Sequence, residues 1–157
     1  MKILGIDPSY KRMGFAVIED TKLLYSTSLA FTKNITKKAK RVLIKIYIRN
    51  IELSFSPDKI VVERTRLYSH GFISSKTIIA LGSLTTAIID ATDLDIFSVD
   101  SRAFKSKIVG DGNCSKQDAI DWVKSKFNIS VDEDEADAIL IASYPFVKSP
   151  LLRKENN

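Results

Sequence analysis

The chain has 157 residues, 45% of them apolar, and Lys and Arg outnumber Asp and Glu by 24 to 19. That length and composition point to one domain with a real core, with no repeat or composition shift to divide it. A lone cysteine, Cys114, and a lone histidine, His70, leave neither an internal disulfide nor a zinc site built on Cys and His, so a reducing, cytoplasmic setting is expected. The first residues enter a strand pattern without the basic segment and apolar stretch of a secretory signal, and no apolar run has the length of a membrane span. The positive excess suits a polyanionic partner, although a basic surface that only keeps the chain soluble has the same charge.

Residues 2 to 7 form an apolar run ended by Asp7-Pro8, since Pro cannot donate to a ladder. Tyr10 to Arg12 reads as a turn. Gly14 to Glu19 and Lys22 to Leu29 are two more extended runs on either side of Asp20-Thr21, which predicts an antiparallel meander of three strands. Thr36 to Phe55 is long enough to favour a helix, yet Ile44, Ile46 and Ile48 alternate with Lys45 and Tyr47 in its middle as a strand would. Pro57-Asp58 ends it.

Lys59 to Glu63 is a short, nearly continuous apolar strand, the kind buried on both faces and paired in parallel beside the first strand. A basic, polar loop from Arg64 to Gly71 leads to a predicted helix over Ser74 to Ala91. Leu94 to Val99 is the fifth strand, Ser101 caps a helix to about Ile108, Gly110 to Asn113 turn, and Ser115 caps a helix to about Phe127. The final helix starts near Asp132. Together these predict an α/β domain over residues 1–147, with a mixed five-stranded sheet: strands one to three antiparallel, four and five parallel, and helices flanking them. Residues 148–157, with Pro150 among charged and amide side chains, are expected to form a flexible tail.

Four acids stand out against this background. Asp7 and Glu63 each close an apolar strand, and Asp134 and Asp137 open the last apolar helix at a spacing of three, on one face of its first turn. There the positive end of the helix dipole offsets part of their repulsion. Each has a plain alternative: a solvated strand cap, or an acidic helix start with Asp132, Glu133 and Glu135. Taken together they read as a site for hard divalent cations, Mg²⁺ with Mn²⁺ as a substitute. Phosphodiester hydrolysis asks for such a group, because two ions ~4 Å apart neutralise the phosphate, activate water and stabilise the leaving oxygen. Rigid strand ends and a helix are needed to hold several anions together.

The residues Ile3-Leu4-Gly5-Ile6-Asp7-Pro8-Ser9 with Gly14 and Ala16, the strand Ile60-Val61-Val62-Glu63, and Asp134-Glu135-Ala136-Asp137-Ala138-Ile139 resemble the RuvC Holliday junction resolvases. Ala80-Leu81-Gly82, Lys105, Val109-Gly110 and Ser115-Lys116 extend the resemblance over almost the whole chain. It implies an RNase H-like fold and a homodimer that places paired nicks across a four-way DNA junction, leaving 5′-phosphate and 3′-hydroxyl ends. It further implies that Asp7, Glu63, Asp134 and Asp137 bind two metal ions, while Lys105 and Lys116 lie near the scissile phosphate. Of the two lysines, Lys116 is the one expected to matter more.

The chain departs from bacterial members of that family just after Glu63, where an aromatic side chain commonly stacks on bases. Here Arg66 falls near that position and Tyr68 is displaced, so Tyr68 is a candidate for stacking and Arg64 and Arg66 for gripping phosphate. The preferred branched substrate, whether four-way junctions, three-way forks or flaps, stays open. His70 reads as a loop residue or a proton shuttle, and Trp122, Phe127 and Phe104 as core. Cys114 carries no expected chemistry. Lys37, Lys38, Lys40, Arg41 and Lys45 form a basic stripe that either tracks a junction arm or is a solvated helix face. Two other readings remain: a junction-binding protein with little catalysis, and a small relative of the sugar kinases and actin-like ATPases, which share the first strand motif.

Overall fold

In the computed structural model, which describes residues 1–64 and 75–147, β1 (Lys2–Asp7) lies at the centre of a five-stranded sheet. Its residues explain that place. Leu4 and Ile6 face one core, Ile3 faces the other, and all three are fully buried, as expected of a strand covered on both sides. Antiparallel β2 (Arg12–Glu19) and β3 (Lys22–Ala30) extend the sheet one way; the hairpin between them turns at Asp20, whose φ is 55°. Parallel β4 (Lys59–Glu63) and β5 (Ile96–Val99) extend it the other way, giving the order β3-β2-β1-β4-β5. The expected antiparallel meander and parallel pair are both present.

Helices α1 (Lys37–Phe55) and α2 (Ser75–Ile89) cover one face with Ile44, Ile48, Ile51, Leu84, Ala87 and Ile88. The strand-like alternation in α1 yields to helical spacing: Ile44, Ile48 and Ile51 go inside and Ile46 is left outside. Thr36 caps its start by accepting from Ala39 N, and Ser56, in the left-handed region, ends it before Pro57. Helices α3 (Ser101–Ile108), α4 (Lys116–Phe127) and α5 (Glu133–Ser143) cover the other face around Phe104, Ala119, Val123 and Ile139. Trp122 packs edge-on against Phe127 at 5.9 Å beside this core, as expected.

Several expectations need correction. The turn at Tyr10 to Arg12 is shorter, because Arg12 already pairs with Ala30 in the ladder. The fifth strand begins at Ile96, not Leu94, because Leu94 N donates to Thr92 Oγ1 in a local turn. The cap of α3 is Asp100, whose carboxylate accepts from Arg102 N, so Ser101 is the first helical residue and its hydroxyl is free for another partner. Lys40 is 5% exposed and leaves the basic stripe: its ammonium donates to Tyr10 O at 2.6 Å and lies over the Tyr10 and Phe31 rings. Arg41 and Lys45 both pair with Asp90, whereas Lys37 and Lys38 are exposed.

Two glycines decide how α5 meets the sheet. A Cβ on Gly14 would lie 1.9 Å from the carbonyl oxygen of Asp134, and one on Gly5 would lie 2.5 Å from that of Ala138. Only glycine lets the helix backbone rest directly on β1 and β2. With Ala136, Ala138 and Ala142 fully buried beneath it, α5 comes closer to the strands than large side chains would permit.

Candidate active site

The two-residue period of the strands aims the first pair of acids. Asp7 has the parity of Ile3 and Gly5, and Glu63 that of Val61, so both project toward the face that α5 covers. They stand at the C-terminal ends of adjacent parallel strands, one residue beyond the Ile6 and Val62 pair. Asp134 and Asp137 come down on the same region from the first turns of α5, which is capped reciprocally by Asp132 and Glu135.

The electrostatics fit four acids sharing one place. Burial, reinforced by the charges of Glu63 and Asp137, pushes the Asp7 carboxyl up to about 8, so near neutral pH it keeps a proton and shares a hydrogen bond with Glu63. Glu63 is also raised, by burial first and by Asp137 next, while hydrogen bonds from Ser101 and Asp7 and the charge of Lys105 act the other way. Asp134 is raised too, chiefly by burial and by Asp132, with Arg12 and Lys116 opposing. Ser101 is a partner that sequence reasoning missed: displaced from its expected capping role, it holds Glu63.

Cations brace the group. Lys105 places its ammonium 3.2 Å from Asp137 Oδ1, an ion-pair contact without hydrogen-bond geometry, and donates to Oδ2 at 3.4 Å. Asp137 Oδ1 is therefore buried with no hydrogen-bond partner. Lys116, at the start of α4, stands further out and pairs with Glu133, so Lys105 rather than Lys116 is the lysine inside the carboxylate pocket. Arg12, also missed, donates to Asp132 Oδ2 at 2.7 Å and lies 3.8 Å from Asp134 Oδ2. A cavity of about 460 Å³ opens beside the acids, lined by Pro8, Glu63, Arg64, Ser101, Lys105 and Cys114. Burial pushes the Cys114 thiol up. Arg64 is exposed at this mouth, while Arg66, Tyr68 and His70, together with the tail 148–157, lie outside the described residues.

Among the described residues, no three Asp, Glu, His or Cys side chains are drawn together closely enough to hold a metal ion as they stand. Protons on the raised acids, Lys105 on Asp137 and Arg12 near Asp134 supply the compensation that a cation otherwise would. The donor set nevertheless fits one: all four are hard oxygen ligands on rigid elements, and Asp137 Oδ1 is buried with nothing donating to it.

A family profile described as "Crossover junction endodeoxyribonuclease RuvC" matches residues 3–144. Among curated relatives, the RuvC of Akkermansia muciniphila is 27% identical over 96% of this chain and 94% of its own. The RuvC of Thermosipho melanesiensis is 30% identical over 90% of this chain and 94% of its own. Among solved structures, Thermus thermophilus RuvC in complex with a Holliday junction substrate superimposes with a TM-score of 0.78 at 17% identity, covering 95% of this chain and 99% of that one. That likeness gives the fold, RNase H-like with a mixed sheet between helices. With the profile spanning nearly every described element, the chain belongs to the RuvC family of crossover junction endodeoxyribonucleases, which are metal-dependent nucleases.

Proposed function

We propose that this protein cuts four-way DNA junctions by metal-dependent phosphodiester hydrolysis, with Asp7, Glu63, Asp134 and Asp137 holding two Mg²⁺ ions that Mn²⁺ can replace. The observation that carries the reading is the convergence of four acids from two strand ends and one helix on one region, where burial and the neighbouring carboxylates push Asp7 up to about 8. A stable fold does not need that arrangement; like charges are brought together at a cost that functional sites accept. The ions supply charge neutralisation at the phosphate and a water acidified enough to attack near neutral pH.

The chain's own residues do the rest. Asp7 and Glu63 share a proton that has to leave before both carboxylates can act as ligands. Ser101 orients Glu63 from the start of α3. Lys105, next to Asp137, is set to donate to a non-bridging phosphate oxygen and to meet charge as it develops there. Arg64, exposed at the mouth, and Lys116, exposed further out beside Glu133, suit neighbouring backbone phosphates, and Arg66 and Tyr68 are assigned phosphate and base contacts from the sequence. Lys37 and Lys38 remain available to a DNA arm.

A junction presents two equivalent strands to be cut, while each chain carries one set of four acids, so two copies related by a twofold axis fit the substrate. Helix α2 supports this pairing. Ile79 and Ile89 are 62% and 57% exposed, and an apolar groove of about 540 Å³ runs between α2 and the edge strand β5, lined by Leu81, Ile88, Ile89 and Ile96. Sedimentation should give a dimer for the native chain and a monomer for Ile89→Glu.

The test of activity is a synthetic four-way junction incubated with Mg²⁺ and then with EDTA. Paired nicks that need the metal, lost in Asp7→Asn while junction binding persists, are expected. Binding with no cleavage by the native chain would overturn the enzyme reading in favour of a junction-binding protein.

A further inference from the structure

Arg12 stands apart from the residues that the chemistry already uses. It opens β2 two residues before Gly14, the point at which the backbone of Asp134 rests on the sheet. The main chain of Asp134 is fixed there by close contact, so what remains adjustable is its side chain. One guanidinium meets two carboxylates: Nη1 donates to Asp132 Oδ2 at 2.7 Å, and Nε lies 3.8 Å from Asp134 Oδ2.

The two contacts differ in permanence. Asp132 is itself anchored, because its Oδ2 accepts from Ser28 Oγ at 2.6 Å and its Oδ1 accepts from Glu135 N at 2.9 Å. Asp132 therefore pins the guanidinium in place. The contact with Asp134 is longer, and Asp134 makes no hydrogen bond among those described. It is thus an ion pair that another cation can exchange.

We propose that Arg12 is a positioning residue that holds Asp134 against β2 and competes with a divalent cation for its Oδ2, setting the metal concentration at which the site fills. Anchored to Asp132, the guanidinium stays close after the exchange, opposes the incoming ion and takes Asp134 back when the ion departs. The inference rests on Asp134 being a metal ligand.

The test is direct titration of the full-length protein with Mn²⁺, following the free ion by its paramagnetic resonance, with no DNA and no turnover. Arg12→Gln, which removes the charge and keeps a donor for Asp132, is expected to bind Mn²⁺ about threefold to tenfold more tightly. Arg12→Lys keeps the charge and should stay near the native affinity. Lys11→Gln makes the same charge change at the neighbouring exposed residue and should leave the affinity unaltered. A purely structural role for Arg12 predicts the opposite sign, since a loosened α5 would bind metal less well. Weaker or unchanged binding in Arg12→Gln, or equal tightening in Lys11→Gln, overturns the proposal. Arg12→Met repeats the measurement should the glutamine variant not fold, as judged by circular dichroism. Asp134→Asn is the separate control. If it loses Mn²⁺ while Arg12→Gln is unchanged, the competition alone is refuted; if it binds Mn²⁺ like the native chain, the assignment of Asp134 fails and the competition with it.

Discussion

The two faces of the sheet are built on different principles. On the α1 and α2 side, bulky aliphatic residues such as Ile44, Ile48 and Leu84 fill the space, and the one buried charge described there, Lys40, is neutralised locally by the Tyr10 carbonyl and two rings. On the α5 side, glycine and alanine bring backbone against backbone, and the acids arrive from three elements at one edge of that contact. One face keeps shape by volume; the other gives up volume to gain closeness. Stability and chemistry should therefore separate by face when each is perturbed.

The largest effect is expected from Glu63→Gln, which should lower cleavage of a four-way junction by about a hundredfold or more without lowering the melting temperature. Substantial activity in that variant would detach the acids from the chemistry and end the contrast. Next come two substitutions that remove or add little more than a side chain. Ile48→Ala, in the bulky face, should cost about 2–5 kcal/mol in urea unfolding while cleavage per folded molecule stays native. Gly14→Ala should cost about 3 kcal/mol and also depress cleavage, because the added Cβ pushes on the Asp134 carbonyl. Equal effects of the two on cleavage would dissolve the division.

A smaller effect concerns pH. Asp7 keeps its proton to about 8 in the folded chain, whereas unfolded it releases it near 3.8. Between those values the native state binds more protons, so without metal its stability falls as pH rises, and Glu63, raised as well, adds to the same slope. Melting temperatures measured from pH 5 to 8 in EDTA should decline, and Asp7→Asn should flatten the decline. Cation binding must expel the same proton, so apparent Mg²⁺ affinity should rise over that window. The smallest effect is reserved for Lys40→Met, a change of similar volume that should move stability by about 1 kcal/mol or less and leave cleavage alone. A large loss of cleavage would mean that the bulky face reaches the site through the Tyr10 turn.

Much of this was readable because it is local. Acids at the ends of apolar runs, the two-residue period that aims Asp7 and Glu63 the same way, and the three-residue spacing of Asp134 and Asp137 are properties of short segments. What escaped depends on partners remote in the chain. Arg12 reaches Asp132 across 120 residues, and Ser28 reaches it across 104; neither end announces the other. Lys40 looked like one more solvated lysine until Tyr10 and Phe31 enclosed it. Asp100 and Ser101 are both good caps by residue type, and the sequence does not show that Asp100 takes the role while Ser101 turns to Glu63.

The position of α5 in the chain has a temporal consequence. Asp7 and Glu63 emerge early during synthesis, but Asp134 and Asp137 follow only after the five described strands and the described helices α1 to α4 have been made. A nascent chain that stops short of this helix carries two of the four acids and lacks the backbone that rests on Gly5 and Gly14. Ribosome-bound fragments that end before α5 thus lack two of the four acids, and the complete set can form only once that helix has been made.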